Sequence, residues 1–406
     1  MTGADALAAG VEAGAVAGCC WHAAKAKAAK ATQRVVDAFI VGAFIIVFRG
    51  ATRKSRRRCV KQLLGRRGLR PYHGRMQSTN ANAWRLCVAP MMDWTDMHCR
   101  YFHRLLSPNA RLYTEMVTAV ALAHGDRARL LAHNSEEHPV ALQVGGAEPR
   151  ELALAARLGE AAGYDEINLN VGCPSDRVQS GRFGACLMRE PALVADCVRA
   201  MRDAVQVPVT VKCRIGVDDQ DDDGDLFGFA SCMAEAGVKV LIVHARKAWL
   251  QGLSPKQNRE VPPLNYARVY RLKHEFPELT VVINGGIEGL DAVQEHLQHV
   301  DGVMLGRLAY HAPYALACID AALTGTAPPS REEVMLRMRA YIERQRADGV
   351  RLAAVTRHLL GLYHGETGGK AFRRVLSERT HAADAGWEAV EAALGEVRLH
   401  AERRAA

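Results

Sequence analysis

The chain lacks the cysteine spacing of a metalloprotein. Its 11 cysteines include no Cys-x-x-Cys pair and no His/Cys cluster at zinc-ligand spacing, which excludes a structural zinc site. An odd, scattered set also argues against a disulfide framework, so the thiols are expected reduced and the protein intracellular. A membrane-spanning run is missing too. The longest apolar stretch, residues 38–48, covers eleven positions, short of the ~20 needed to cross a bilayer. No Gly-x-Gly-x-x-Gly follows an early strand, which disfavours a dinucleotide-binding open sheet. An overall basic field is absent as well, despite a net charge of +9. Residues 1–80 hold 15 Lys and Arg against 3 Asp and Glu, whereas residues 81–406 hold 38 against 41. Any nucleic-acid surface on the body must therefore be a local patch.

The first 80 residues read as a basic leader rather than a folded domain. An Ala-rich stretch precedes the short apolar run, and Arg53-Lys54-Ser55-Arg56-Arg57-Arg58 follows it. Arg-rich, Ser-containing, acid-poor composition fits a transit peptide for a chloroplast or mitochondrion. A poorly ordered extension or a misplaced start codon are the plainer alternatives, and either leaves the protein cytoplasmic. The folded part is expected to begin near Ser78.

From Arg85 onward, strand-like runs alternate with helical ones. Strands are expected at residues 86–91, 112–116, 139–144, 166–171, 207–213, 238–244, 279–283 and 302–305. Ala/Leu-rich amphipathic runs such as 150–162 and 191–205 lie between them. Eight strands with crossovers predict an α/β fold, a (β/α)8 TIM barrel over residues 81–325. A doubly wound sheet is the runner-up.

Polar residues gather where such a barrel does its chemistry, at the C-terminal strand tips. The run Glu166-Ile167-Asn168-Leu169-Asn170-Val171-Gly172-Cys173-Pro174-Ser175 presents a cysteine at a strand end. Pro174 cannot donate to a ladder and Gly172 permits a tight bend. Most cysteines are simply small buried hydrophobes. Here, however, other strand ends carry Pro90-Met91-Met92, Gln143, Lys212-Cys213-Arg214, His244, Asn284-Gly285-Gly286 and Gly306-Arg307. Together they describe one pocket. Glycines after strands seven and eight let backbone N–H groups approach a phosphate, with Arg307 as a charged donor. Lys212 and Gln143 suit the polar edge of a flavin. No strand end offers a metal-binding cluster.

Beyond Thr324-Gly-Thr-Ala-Pro-Pro-Ser330 the pattern turns helical, at residues 331–347, 351–363 and 371–379. These amphipathic, basic runs predict a smaller helical domain at 326–406. Solvated faces are the ordinary explanation of such charges. Gripping phosphates is the functional one.

The motifs Asn168-Leu-Asn-Val-Gly-Cys-Pro-Ser-Asp-Arg-Val-Gln179 and Gly184-Ala-Cys-Leu-Met188 resemble the tRNA-dihydrouridine synthases. Ala89-Pro-Met-Met-Asp-Trp-Thr-Asp96, Tyr113-Thr-Glu-Met116, His244-Ala-Arg-Lys-Ala-Trp-Leu250 and Leu253-Ser-Pro-Lys-Gln-Asn-Arg-Glu260 are similar to the DusA branch. The resemblance runs from about Arg85 to the C-terminal region. It implies an FMN enzyme that reduces D-loop uridines of tRNA at positions 20 and 20a, with NADPH (or NADH) as electron source. It assigns FMN contacts to Pro90, Met91, Met92, Gln143, Lys212, His244, Asn284, Gly285, Gly286, Gly306 and Arg307. Cys173 becomes the general acid, and Asn170, Lys256, Arg259, Lys370 and Arg373 become tRNA contacts. A monomer acting on tRNA, away from membranes, is the expected state.

The chemistry agrees with that implication. Reducing an enone-like C5=C6 bond needs a hydride at C6 and a proton at C5. A free thiol, with pKa of about 8.5, still carries its proton at neutral pH. Unstacking the base costs a few kcal/mol, which phosphate contacts would offset. Two rivals remain at this stage: an FMN barrel acting on a free pyrimidine, as in dihydroorotate oxidation, and a tRNA-binding protein without catalysis.

Overall fold

The computed structural model describes residues 81–220 and 222–405, so the leader lies outside the described residues. One parallel sheet contains β1 (Leu86–Val88), β2 (Leu112–Tyr113), β3 (Val117–Thr118), β4 (Val140–Gly145) and β5 (Glu166–Val171). It continues with β6 (Val209–Arg214), β7 (Val240–His244), β8 (Thr280–Asn284) and β9 (Gly302–Leu305). The order is β1-β9-β8-β7-β6-β5-β4-β2, with β3 also on β4. A parallel bridge between Cys87 and Arg111 joins β1 to the start of β2. The sheet therefore closes into a (β/α)8 barrel.

Its crossovers are α1 (Met97–Leu106), α2 (Ala119–His124), α3 (Pro149–Ala161), α4 (Pro191–Ala204) and α5 (Asp223–Glu235). They are followed by α6 (Tyr266–Glu275), α7 (Leu290–His296), α8 (Arg307–His311) and α9 (Tyr314–Thr324). Proline begins both α3 and α4, where its missing N–H would have no partner anyway.

Several strand ends shift by one or two residues from the sequence expectation, and two strands depart from it in kind. β1 stops at Val88 rather than reaching residue 91, because Pro90 has no N–H and Met91 turns back. The Met91 N–H donates to Thr95 Oγ1 at 2.9 Å, and the Thr95 N–H donates to the Met91 carbonyl at 3.0 Å. The second barrel strand is split into β2 and β3. Between them Thr114 Oγ1 accepts from the Gln143 N–H at 3.0 Å, a side chain standing in for a ladder carbonyl.

Alternation along β5 reads from sequence as one apolar and one polar face. In the barrel both are buried. Ile167, Leu169 and Val171 pack in the core cluster that also holds residues of α3 and α4. Glu166, Asn168 and Asn170 take the alternate, inward positions, beside the small interior cluster that contains Ala141, Ile242, Val282 and Met304. Glu166 is fully buried. Its carboxylate accepts from Trp84 Nε1 at 2.8 Å, Tyr113 OH at 2.9 Å and Thr210 Oγ1 at 2.5 Å, and Arg111 lies 3.2 Å away. Arg111 also covers the Trp84 ring at 4.6 Å.

After the barrel come α10 (Arg331–Ala347), α11 (Leu352–Thr356), α12 (Gly369–Arg379) and α13 (Trp387–Ala405). The last of these lies within the helical segment expected at 326–406, beyond the three helical runs picked out from sequence. These helices do not close a core of their own. Tyr101, Phe102, Leu105 and Leu106 of α1, with Ala317 of α9, complete the apolar cluster around Met338, Tyr341, Phe372 and Val390. Asp96 seals the junction. It caps α1 by accepting from the His98 and Cys99 N–H groups, and it also meets Arg357 and His358. Burial opposes its charge, yet the His358 and Arg357 contacts hold the Asp96 carboxyl well below the usual carboxylate range. Among the described residues no helix is long and apolar enough to cross a membrane.

Replacing Arg111 by Met is expected to strip Glu166 of its cation inside the barrel. The loss should be roughly 3–5 kcal/mol, read as a lower urea midpoint. A midpoint equal to wild type would show that the ion pair adds nothing to stability.

Candidate active site

Strand register assembles the site. Gln143 pairs with Asn168, Asn170 with Lys212, Arg214 with His244, and His244 with Asn284 across adjacent parallel strands. These residues therefore gather toward the C-terminal end of the barrel. Gln143 Nε2 donates to Asn168 Oδ1 at 2.7 Å, and Asn170 Nδ2 donates to Gln143 Oε1 at 2.9 Å. Asn170 Oδ1 then accepts from the Gly172 N–H at 3.1 Å and the Cys173 N–H at 3.0 Å. The Cys173 carbonyl accepts from the Ala185 N–H, while its Sγ lies 3.4 Å from Ser175 Oγ. Cys173 is only half-buried. Its peptide is held from both sides.

Cations crowd this thiol. The charges of Lys212, Arg214 and Arg259 lie close enough to interact with it. Lys212 donates from Nζ to Asn284 Oδ1 at 3.1 Å, and Asn284 Nδ2 donates to the Met304 carbonyl. Burial, with the neighbouring Arg214 guanidinium, pulls the Lys212 ammonium down to about 8. Burial and the same two cations keep the His244 ring well below the usual histidine range, hence neutral at pH 7.

Two residues that the sequence reading left without a role hold the mouth together. Arg214 is buried and donates to the carbonyls of Gly172 (3.0 Å), Lys247 (3.0 Å) and Asn258 (2.8 Å). It thus ties the Cys173 loop to the loop after β7. Asn258, fully buried, links that loop internally through Trp249 and Leu253. A charged residue two positions past an inward Lys was the available signal for Arg214. Nothing local marks Asn258, because its partners come from the fold of its own loop.

The remaining expected residues distribute as follows. Pro90 and Met91 are half-buried at the β1 tip, whereas Met92 is 55 % exposed. Gly285 and Gly286 have φ of 113° and 67°, a region other residues seldom adopt. A Cβ on Gly285 would also stand 2.6 Å from the His244 ring. Gly306 is open on its Cα, with nothing within 4 Å of an added Cβ. Arg307 is paired with Glu260 at 2.9 Å rather than standing free. Next to it, Arg246 donates from one terminal nitrogen to the Pro262 carbonyl, while its buried Nε has no partner. Lys256 and Arg259 are exposed on or beside the short turn Gln257–Arg259. On α12, Phe372, Val375 and Leu376 face the core, leaving Lys370 and Arg373 exposed without an acidic partner among the described residues. Arg331 of α10 is not a solvated charge. It pairs with Glu366 at 2.7 Å and covers the Tyr314 ring at 3.7 Å.

Comparison with known proteins covers nearly all of this part of the chain. The profile of the family described as Dihydrouridine synthase (Dus) matches residues 87–398. A tRNA-dihydrouridine(20/20a) synthase of Xanthomonas campestris is 60% identical over 313 residues, 77% of this chain and 93% of the relative. The protein of that name from Vibrio cholerae is 57% identical over 316 residues, 77% of this chain and 96% of the relative. That of Salmonella typhimurium is 55% identical over 331 residues, 81% and 98% respectively.

The depressed Lys212 pKa carries a testable sign. The folded protein releases this proton near pH 8, while the unfolded chain keeps it to about 10.5. Between those values the unfolded state binds more protons, so stability from this site rises with pH. Lys212→Met should remove that rise in urea unfolding curves recorded from pH 7 to 10.5. An identical pH dependence in the variant would mean Lys212 titrates like an exposed lysine.

Proposed function

The chain belongs to the dihydrouridine synthase family, and from that premise we propose that it reduces uridines of tRNA to 5,6-dihydrouridine. The targets are tRNA positions 20 and 20a, with FMN as the flavin and NADPH, or NADH, as the electron source. The observation that carries this reading is the mounting of Cys173, whose N–H is bound by Asn170 beside the charges of Lys212, Arg214 and Arg259.

The pocket suits FMN. A buried Arg246 Nε without a partner calls for an acceptor such as a phosphate oxygen. Gly285, Gly286 and Gly306 let backbone approach that group, and Arg307 adds a donor beside it. Pro90, Met91, Met92, Gln143, Lys212, His244 and Asn284 complete the set that would hold the flavin. When bound and reduced by the nicotinamide, FMN would supply the hydride that adds to C6 of the uracil.

The chain's own residues account for the rest. Cys173 gives its thiol proton to C5: the S–H bond breaks, a C–H bond forms, and a thiolate remains. Lys212, Arg214 and Arg259 stabilise that negative charge through their nearby positive ones. Solvent later returns the proton. Asn170 uses one amide hydrogen on Gln143 and keeps a second for the uracil. Neutral His244 neither repels a cationic neighbour nor competes as a proton source. On the tRNA, Lys256 and Arg259 at the rim, with Lys370 and Arg373 on α12, neutralise phosphates. The RNA is thereby held while the target base is unstacked.

Cys173→Ala should retain flavin and lower dihydrouridine formation in tRNA by about 10²–10⁴-fold, the range for losing a general acid. Turnover near wild type would remove Cys173 as the donor. Equal turnover of free uridine and tRNA by the wild-type protein would overturn the substrate assignment.

Lys370→Ala combined with Arg373→Ala should leave the flavin spectrum unchanged and weaken tRNA binding. If both neutralise phosphates, the slope of log affinity against log salt becomes shallower by about 1.4–1.8. An unaltered slope would assign these two charges to a solvated helix face.

A further inference from the structure

Trp249 lies on the rim loop after β7 and is 43 % exposed, although it is the largest apolar side chain there. Its backbone is fixed on both sides. Buried Asn258 accepts from the Trp249 N–H at 2.8 Å and donates to the Trp249 carbonyl at 2.9 Å. The preceding residue, Ala248, bridges in parallel to Val217, and the Leu250 N–H donates to Asp218 Oδ1 at 2.8 Å. Gln179 Nε2 donates to both the Leu250 carbonyl (2.7 Å) and the Pro174 carbonyl (2.8 Å). One side chain thus ties the segment carrying Trp249 to the residue next to Cys173. Lys247 Nζ lies 5.1 Å from the indole centroid, an attraction that also helps to orient the ring.

These bonds fix the backbone under a solvent-exposed indole, on a loop tied through Gln179 to the residue after Cys173, where the ring adds little to the barrel core. Resting on the function proposed above, the geometry points to Trp249 as a stacking platform for the nucleobase that adjoins the target uridine in the RNA. Swinging the target out of its stack uncovers a face of its neighbour. An exposed indole on the rim recovers that lost contact. Phosphate contacts from Lys256 and Arg259 position the strand but do not hold a base. Stacking does, and it accepts any base because every base has a π-face.

The test uses the full chain with FMN bound and an unmodified tRNA transcript. Affinity is measured across a salt series for wild type, Trp249→Phe and Trp249→Leu, together with KM for NADPH in flavin reduction. Trp249→Leu, apolar but not aromatic, is expected to bind tRNA roughly 5- to 150-fold more weakly, the effect of losing one base–aromatic stack. Its salt slope should equal that of wild type, because no phosphate contact is lost. Trp249→Phe should bind within a few-fold of wild type. Quenching of indole emission by tRNA should diminish in the Phe variant, and this difference decides the matter if the Leu variant does not fold. Wild-type affinity in Trp249→Leu, a shallower salt slope, or a raised KM for NADPH with tRNA affinity intact would each overturn the platform. Wild-type protein that neither binds nor reduces tRNA would overturn the substrate reading itself. Wild-type protein that does both, with an unaffected Leu variant, would discard only the role of Trp249.

Discussion

A carboxylate with no access to solvent must have its oxygens engaged by donors, and Glu166 imposes that demand on the barrel interior. Because Glu166 accepts, Thr210 spends its hydroxyl hydrogen on it and must itself accept from Asn168 Nδ2 at 2.8 Å. Asn168 then turns its oxygen to Gln143, and Gln143 turns its own oxygen to Asn170. The relay ends with Asn170 Oδ1 facing the Gly172 and Cys173 N–H groups. Each amide has one orientation left once the previous one is set. Orientation of the Cys173 loop is therefore inherited, bond by bond, from a carboxylate further down the same strand.

Electrostatics at the mouth run against those of the body. The described part of the chain carries a slight acidic excess, yet Lys212, Arg214, Arg246, Arg259 and Arg307 converge at the strand tips. Four of these are restrained: Lys212 on Asn284, Arg307 on Glu260, Arg214 on three carbonyls and Arg246 on the Pro262 carbonyl. Their field is local and fixed in direction before any ligand arrives, which is the condition for stabilising a charge that develops during reaction. The body offers a polyanion no general attraction, and exposed basic side chains stand at the rim and on α12.

The helical segment is bound to the barrel more closely than its Pro/Gly linker suggests. Its apolar cluster is completed by four side chains of α1, the helix that directly follows the Met91–Asp96 turn at the β1 tip. Asp96 caps α1 and contacts Arg357 and His358 of the helical segment.

Much of this was legible in order along the chain. The eight strand positions, the Gly-Cys-Pro tip and the polar strand ends follow from period-two alternation and from where proline and glycine interrupt it. Those are local properties of the backbone, and they fix which residues stand at C-terminal tips. What sequence could not decide is which face of a strand lies inside. Asn168 and Asn170 alternate with apolar residues along a strand that reads as buried, and either set could line the interior. They are interior because closing the sheet encloses that face, and closure depends on contacts such as Cys87 with Arg111 that join distant parts of the chain. The same holds for Arg214 and Asn258, whose roles rest on carbonyls contributed by other loops, and for Arg331, whose charge is taken up by Glu366 and Tyr314. Local pattern determined the elements and the residue types at their ends. Partner identity belongs to the tertiary structure, because a hydrogen bond or ion pair needs two groups brought together in space and sequence spacing supplies only one of them.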